Sequence, residues 1–440
     1  MTAQRLRRVR ERNGPGTQGC RKVSFTSVVW GLIVHALSAQ GSLGHHLRTV
    51  SGTSISDAAA HERRQALGWE FFQTLFAHVL KPLADRRRHP ASFYKGMRLL
   101  GIDGSQWSLR NTGELNALPR QRLRTSPDKS RAAFLKWGFC VLLELGVHQP
   151  LAAACAELEG SREEGELTIA RRLLGDIPRD EDILLLMDRY YGRGSFLEEI
   201  QACAGTRAQW LVRVPDAHKA TVIQELADGS ALVEVRVCHR GSRRTKAVLR
   251  LREVRGEVWR ENTAKETPAA RSALRLWTTL LDAGAHPANE LLALYAQRWE
   301  QELFFRELKR HTGREQLLRC GTVEGARAEF GALILAASFV AQQRLQAAQQ
   351  VGLPPLRMSL QKISRGLEVL MPLLHAAEGI ISSAQRRKII DRHLKLIAYD
   401  ARIPPRRSRS CQRGLRRPSS AWPRISTRCD LAGDWVYAVT

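Results

Sequence analysis

LYAQRWEQELFFRELKRHTG, residues 294–313, sets Tyr295, Arg298, Glu302 and Lys309 at successive spacings of three, four and seven. At about 100° per residue, one α-helix would carry all four within an arc of roughly 60°. That stripe is polar. Leu292, Ala296, Trp299, Leu303, Phe304 and Leu308 occupy a broad apolar arc that the pattern assigns to a core, which leaves the polar stripe facing outward or into a cleft. A carboxylate flanked by two cations and a phenol suits a metal ion beside phosphates. A solvated amphipathic helix is the plainer alternative, because Arg298 with Glu302 and Glu302 with Arg306 are i,i+4 pairs.

The order Tyr, two residues, Arg, three, Glu, six, Lys matches the signature of bacterial transposases of the insertion-sequence 4 type, and the flanking text resembles that family beyond the four positions. The resemblance runs from about Ser24 to about Tyr399. It includes SISDAAAHERRQALGW (54–69), DGSQWSLRNT (103–112), GELTIARRLLGDI (165–177) and LLRCGTVEGARAEFGALILAASFVAQQRL (317–345).

That family works with two aspartates and the signature glutamate, so the resemblance implies two upstream aspartates at strand ends. In RLLGIDGSQWSL (98–109), Leu99, Leu100 and Ile102 read as a short buried strand ending in Asp103. Taken alone, Asp103-Gly104 reads as a turn dipeptide. In DILLLMDRYYGRGSF (182–196), Ile183 through Met187 read as a central strand that stops at Asp188, which alone would pass for a cap or turn residue. By resemblance, Asp103, Asp188 and Glu302 are the catalytic and metal-holding residues. Tyr295, Arg298 and Lys309 would grip the DNA backbone, with Arg189 and Tyr191 near DNA. The family commonly has glycine two residues after the second aspartate, where this chain has Tyr190.

The implied chemistry is two-metal phosphoryl transfer. Carboxylates supply hard oxygens to two Mg²⁺ ions about 3.5–4 Å apart, with Mn²⁺ able to substitute. The resemblance implies cutting at the ends of an insertion sequence and joining of the 3′-hydroxyls to target DNA. The partners are then double-stranded DNA, both terminal inverted repeats and target, and a second copy of the chain as a homodimer. Two other classes fit the residues: a catalytically inactive or domesticated DNA-binding protein, and a Mg²⁺-dependent nuclease without strand transfer.

Composition agrees with a polyanion partner. Lys plus Arg number 69 against 43 Asp plus Glu, a formal charge of +26, and the pI is near 10.7. Such a surface binds DNA in a salt-sensitive, sequence-independent way, and RNA or an anionic membrane would satisfy the same charge. Val28–Leu37 is about half the roughly 20 residues a spanning helix needs, so it reads as a core helix and no membrane partner is expected. Cytoplasmic, nucleoid-associated residence follows. The eight cysteines show no zinc spacing and read as reduced, buried thiols. YGRG (191–194) lacks the continuation of a phosphate loop, which excludes a nucleoside triphosphatase of that type.

The fold class expected is α/β, a ribonuclease-H-like catalytic core with a β-rich insertion and a helical N-terminal domain. Residues 1–23 read as a basic arm and 24–92 as a helical domain binding the DNA ends. The core spans 93–310, in the order strand, strand, strand, helix, strand, helix, strand. It is interrupted at about 216–286 by alternating runs such as ALVEVRVCHRG, in which Trp259 and Trp277 are possible base-stacking rings with core packing favoured. Residues 311–399 read as C-terminal helices. Residues 400–440, whose last forty carry nine arginines against two aspartates, read as a flexible basic tail.

Overall fold

The computed structural model describes residues 23–38, 40–52, 55–118, 134–157, 164–205, 207–239, 242, 244–260, 272–310, 317–404 and 435–439. The basic arm, apart from Val23, and most of the expected tail lie outside these residues. In chain order the helices and strands are α1 (Phe25–Leu37), α2 (Leu43–Ser51), α3 (Asp57–Gln65), α4 (Gly68–Val79), β1 (Phe93–Tyr94), β2 (Met97–Ser108), β3 (Lys136–Glu144), β4 (Gln149–Cys155), α5 (Glu166–Arg171) and β5 (Ile183–Met187). There follow α6 (Gly194–Ala204), β6 (Ala208–Arg213), β7 (Thr221–Glu225), β8 (Ala231–Cys238), β9 (Thr245–Arg260), β10 (Ser272–Thr278), α7 (Ala288–Tyr295), α8 (Trp299–Arg310), α9 (Val323–Val351), α10 (Leu360–Ala376), α11 (Ser383–Asp400) and β11 (Trp435–Val439). This is an α/β chain with a helical N-terminal region and a β-rich insertion. The run β2, β3, β4, α5, β5, α6, β6 has the order the sequence suggests for the core.

Contacts divide the chain into two compact units, one taking in residues up to Ile183 with Trp299–Ile403, the other Leu184–Arg298 with the residues from Pro404 onward. In the first unit β2, β3 and β4 form an antiparallel meander, with Asp103 opposite Val141 and Trp107 opposite Trp137. Helix α9 is the spine of this unit. Its Phe330 packs on Phe139 at 5.1 Å and on Trp137 at 5.6 Å from the strands, and stacks on Trp69 of α4 at 5.7 Å. Fully burying a ring of this size contributes about 1.5–3 kcal/mol, so Phe330 ties the N-terminal helices and the strands into one core. Gly331 is needed beside it, because a Cβ there would lie 2.3 Å from the Phe72 ring. The helix starts on Thr322, whose side chain accepts from Gly325 N–H, and ends on Gly352 at φ 63°.

The Val28–Leu37 run lies in α1, capped by Ser24 and buried along most of its length. Among the described residues no helix is long and apolar enough to cross a membrane.

In the second unit β6, β10, β9, β8 and β7 follow one another antiparallel. Strands β7 to β10 make up the insertion, with its alternation visible in β8: Val233, Val235 and Val237 are buried while Glu234 and Arg236 are exposed. Arg252 is fully buried in β9, where it pairs with Asp228 and donates to the carbonyl of His286 at 2.6 Å. Trp277 is buried and its Nε1 donates to Glu253 at 2.8 Å, so it is a core residue; the Trp259 side chain lies outside the described residues. The tail reading needs correction at its end. Trp435–Val439 is not flexible coil but β11, paired antiparallel to residues 256–260 of β9. The alternation of bulky and small residues in WVYAV carries the strand, and the arginines before it mask that signal.

Candidate active site

Asp103 does not end a strand. Strand β2 continues to Ser108 because Trp107, beyond the polar Gly104-Ser105-Gln106, is again fully buried and stacks on Phe139 at 4.3 Å. Asp103 therefore sits half-buried in mid-strand, its carboxylate accepting from Gly104 N–H at 2.9 Å. Residues 101, 103, 105 and 107 share one face of β2. Helix α8 lies over that face. A Cβ on Gly101 would fall 2.6 Å from Gln301 Oε1, and Lys309 Nζ donates to Ser105 Oγ at 2.5 Å and to the Gln106 carbonyl at 2.9 Å. Glu302 follows Gln301 directly, and Gln301 is anchored by donating to the Val141 carbonyl at 3.2 Å. In the first unit Lys309 thus meets the strand that carries Asp103, and Glu302 lies on the same helix as Lys309. Burial, and then Lys136 nearby, hold the Lys309 ammonium below the ordinary lysine value.

On the opposite face of β2, Gly104 leaves room for the Glu166 carboxyl, which a Cβ would approach to 2.5 Å. Sequence reading passed over Glu166. Only the Gly after Asp103 hinted that a side chain had to be accommodated there.

The second unit holds Asp188, Arg189, Tyr191, Tyr295 and Arg298. Asp188 stands immediately past β5, half-buried, and its carbonyl accepts from Tyr191 N–H at 3.0 Å. Tyr191 does not face DNA as expected: its side chain is fully buried, 5.5 Å from the Phe196 ring, which leaves no surface for a phosphate. Arg189 is exposed. So is Tyr190, with the Arg193 guanidinium over its ring at 5.2 Å. Tyr295 is also buried, and its hydroxyl donates to the Met187 carbonyl, so it faces inward rather than along an open stripe.

The single signature helix is corrected as well. Helix α7 ends at Tyr295, a 3-10 turn covers Ala296–Arg298, and α8 starts at Trp299. The unit boundary falls at the same place. No Gly or Pro between 294 and 300 announces the break. Ala296 and Trp299, assigned by the pattern to the core, are exposed, Trp299 at 54%. The tighter 3-10 turn rotates them off the apolar arc.

Behind α8 lies a cluster no motif marked. His148, in the β3–β4 turn and 3% exposed, has Nδ1 2.7 Å from Glu307 and Nε2 3.0 Å from Glu300, while Arg344 of α9 pairs with Glu307. Of the described cysteines, Cys140, Cys155 and Cys320 are buried free thiols as expected, whereas Cys238 is exposed.

Among the described residues, no three His, Cys, Asp or Glu side chains form a metal-holding group. Asp103 and Glu302 nonetheless offer hard carboxylate oxygens on facing elements beside a half-buried ammonium, a donor set that fits Mg²⁺ and a phosphate.

The family described as the transposase DDE domain matches residues 96–339. In Escherichia coli (strain K12), Transposase InsG for insertion sequence element IS4 is 25% identical over 424 residues, covering 93% of this chain and 89% of that protein. Among solved structures, the cryo-EM structure of the piggyBac transposase synaptic complex with hairpin DNA aligns at a TM-score of 0.45 and 9% identity, over 89% of this chain and 80% of that one.

Proposed function

The chain belongs to the DDE transposase family, of the insertion-sequence 4 type, and as a DNA transposase of that kind we propose that it uses Asp103, Asp188 and Glu302 as its catalytic carboxylates. It cuts DNA at the ends of an insertion sequence and joins the freed 3′-hydroxyls to target DNA. The observation that carries this reading is the placement of α8 over the Asp103 face of β2, with Gln301 at Gly101 and Lys309 at Ser105.

Asp103, Asp188 and Glu302 would hold the divalent cations, Mg²⁺ with Mn²⁺ as substitute. The chemistry supplied by ions held there would be activation of the attacking oxygen and stabilisation of the leaving one. The remaining work falls to the chain's own groups. Lys309, half-buried and bonded among the described residues to Ser105 and the Gln106 carbonyl, is set to take a phosphate oxygen. Arg298 and Arg189 contribute further backbone contacts, which position DNA without reading its sequence. Tyr295 fixes the Met187 carbonyl and so the backbone entering Asp188. Terminal inverted repeats and target duplex are the DNA partners, and two copies bring a pair of ends together.

The test is strand breakage on a plasmid carrying the gene with its native flanks, with and without Mg²⁺, for the purified protein and Glu302→Gln. Metal-dependent cuts at the flanks that vanish in the variant, followed by joined products, are expected. Cuts without joined products would indicate a nuclease. Binding without cutting in either Mg²⁺ or Mn²⁺ would leave a non-catalytic DNA binder.

A further inference from the structure

Helix α8 carries two acidic flanks. With Trp299 set at 0° and about 100° added per residue, Glu302 and Lys309 fall at roughly 300° and 280°, Glu300 and Glu307 at roughly 100° and 80°, and the buried Gln301, Phe304, Phe305 and Leu308 between them. The first flank meets the Asp103 strand through Lys309. The second is gripped from behind by His148, which bridges Glu300 and Glu307 seven residues apart, while Arg344 donates to Glu307 and to the Met358 carbonyl at 3.1 Å. A helix resting on a smooth apolar stripe can roll about its axis, and polar pairs on both sides of the stripe remove that freedom. His148 also adopts φ 54°, a region that non-glycine residues seldom occupy, so the turn itself is shaped to deliver the ring.

We propose that His148 is a positioning residue for Glu302: by clamping Glu300 and Glu307 it sets the roll of α8 and thereby the direction of the Glu302 carboxylate toward the Asp103 face. The proposal rests on the reading of Glu302 as a catalytic carboxylate. Burial disfavours a charged imidazole, but Glu307 and Glu300 outweigh it against the opposing Arg344 and raise its value, and a carboxylate oxygen lies within reach of each ring nitrogen. Among the described residues, those three groups, two on α8 and one on α9, are the charged side chains that face it. Nothing in the cutting reaction calls on His148 directly.

Mn²⁺ binding by the free protein, followed through the EPR signal of the unbound ion, reads Glu302 without any turnover. The Mg²⁺ concentration for half-maximal plasmid cutting gives a second readout. His148→Gln and Glu300→Gln should each weaken Mn²⁺ binding and raise the Mg²⁺ midpoint by about 10- to 100-fold, the usual effect of losing an outer support of a metal ligand, with duplex affinity unchanged. Glu300 is part-exposed, so its variant keeps the fold if His148→Gln does not. Gly31→Ala serves as the control: its methyl would press on Leu47 in the N-terminal helices and soften the same unit, with Leu47 rather than a clamp residue as its nearest neighbour. Both metal readouts should stay at the wild-type level there. Wild-type metal binding in both clamp variants, or an equal loss in Gly31→Ala, would overturn the proposal. Undiminished cutting by Glu302→Gln would instead overturn the assignment beneath it.

Discussion

The Tyr295 hydroxyl donates to the Met187 carbonyl across 3.2 Å, joining the last residue of α7 to the last residue of β5 within one unit. Asp188 is the next residue along. The phenol of the signature thus acts on the backbone that presents a carboxylate, and its ring is 6% exposed. Tyr295→Phe keeps the ring and removes the donor. We expect a loss of about 0.5–1.5 kcal/mol in stability, and a fall in cutting rate of about tenfold or more if Asp188 is displaced. Denaturant unfolding and single-turnover cutting measure the two separately, and an unchanged rate would show that the hydroxyl serves stability only.

Lys309 should be a salt-linked DNA contact. Replacing it by Gln is expected to flatten the plot of log affinity against log salt by about 0.9 for a 30-bp duplex, the change for one lost phosphate contact. Fluorescence anisotropy between about 50 and 200 mM salt resolves such a change, because binding through several phosphates varies by orders of magnitude over that range. DNA is also expected to shield Lys309 from an acetylating reagent. No protection by DNA would place the backbone elsewhere.

The clamp behind α8 has a pH signature. The folded value of His148 is raised above 6.5, so its contribution is fully present below 6.5 and is lost as pH rises through the folded value. Glu307 is depressed well below 4.5, chiefly by Arg344 and His148 against its burial, so its contribution is present above 4.5 and constant over neutral pH. The gap in Tm between wild type and His148→Gln should accordingly be widest in mildly acidic buffer and narrow as pH rises. A gap that widens with pH would show His148 to be neutral in the fold.

Arg252 is the guanidinium on which the insertion depends. Arg252→Met removes the cation beside Asp228, which keeps the Ser230 and Ala288 N–H groups, and the guanidinium donor to the His286 carbonyl; because Asp228 is part-exposed, the cost falls at or below the lower end of the about 3–5 kcal/mol for breaking a buried ion pair. A low-denaturant transition in the full-length variant, monitored by near-ultraviolet circular dichroism, would report it; unfolding at the wild-type midpoint would mean that water replaces the guanidinium there.

Where periodicity and burial coincide, the chain was legible. Ile183–Met187 is β5 with Asp188 just beyond it, and the alternation of ALVEVRVC is β8. The signature spacing pointed to Glu302 and Lys309 on one side of a helix, which α8 bears out as geometry. The failures have local causes. Polar Gly104-Ser105-Gln106 hid the continuation of β2 because hydropathy cannot register a strand whose neighbour is a helix carrying polar side chains. The 3-10 turn at 296–298 uses ordinary helix formers. Tyr191 looked like a surface residue beside Arg189, yet burial depends on a Phe five positions later. His148 was invisible because its partners are 152 and 159 residues away.

Strand β11 changes what trimming this chain would do. Removing residues 435–439 looks, on charge and composition, like cropping a basic tail. It would instead strip the hydrogen-bonding partner from residues 256–260 of β9 and lay bare a row of amides and carbonyls beside Gly256, whose Cα lies so near the Ala438 carbonyl that a Cβ would come within 2.4 Å of it. An uncovered strand margin is an invitation to self-association. A shortened protein that precipitates would therefore have lost its edge protection, and its insolubility would carry no information about DNA.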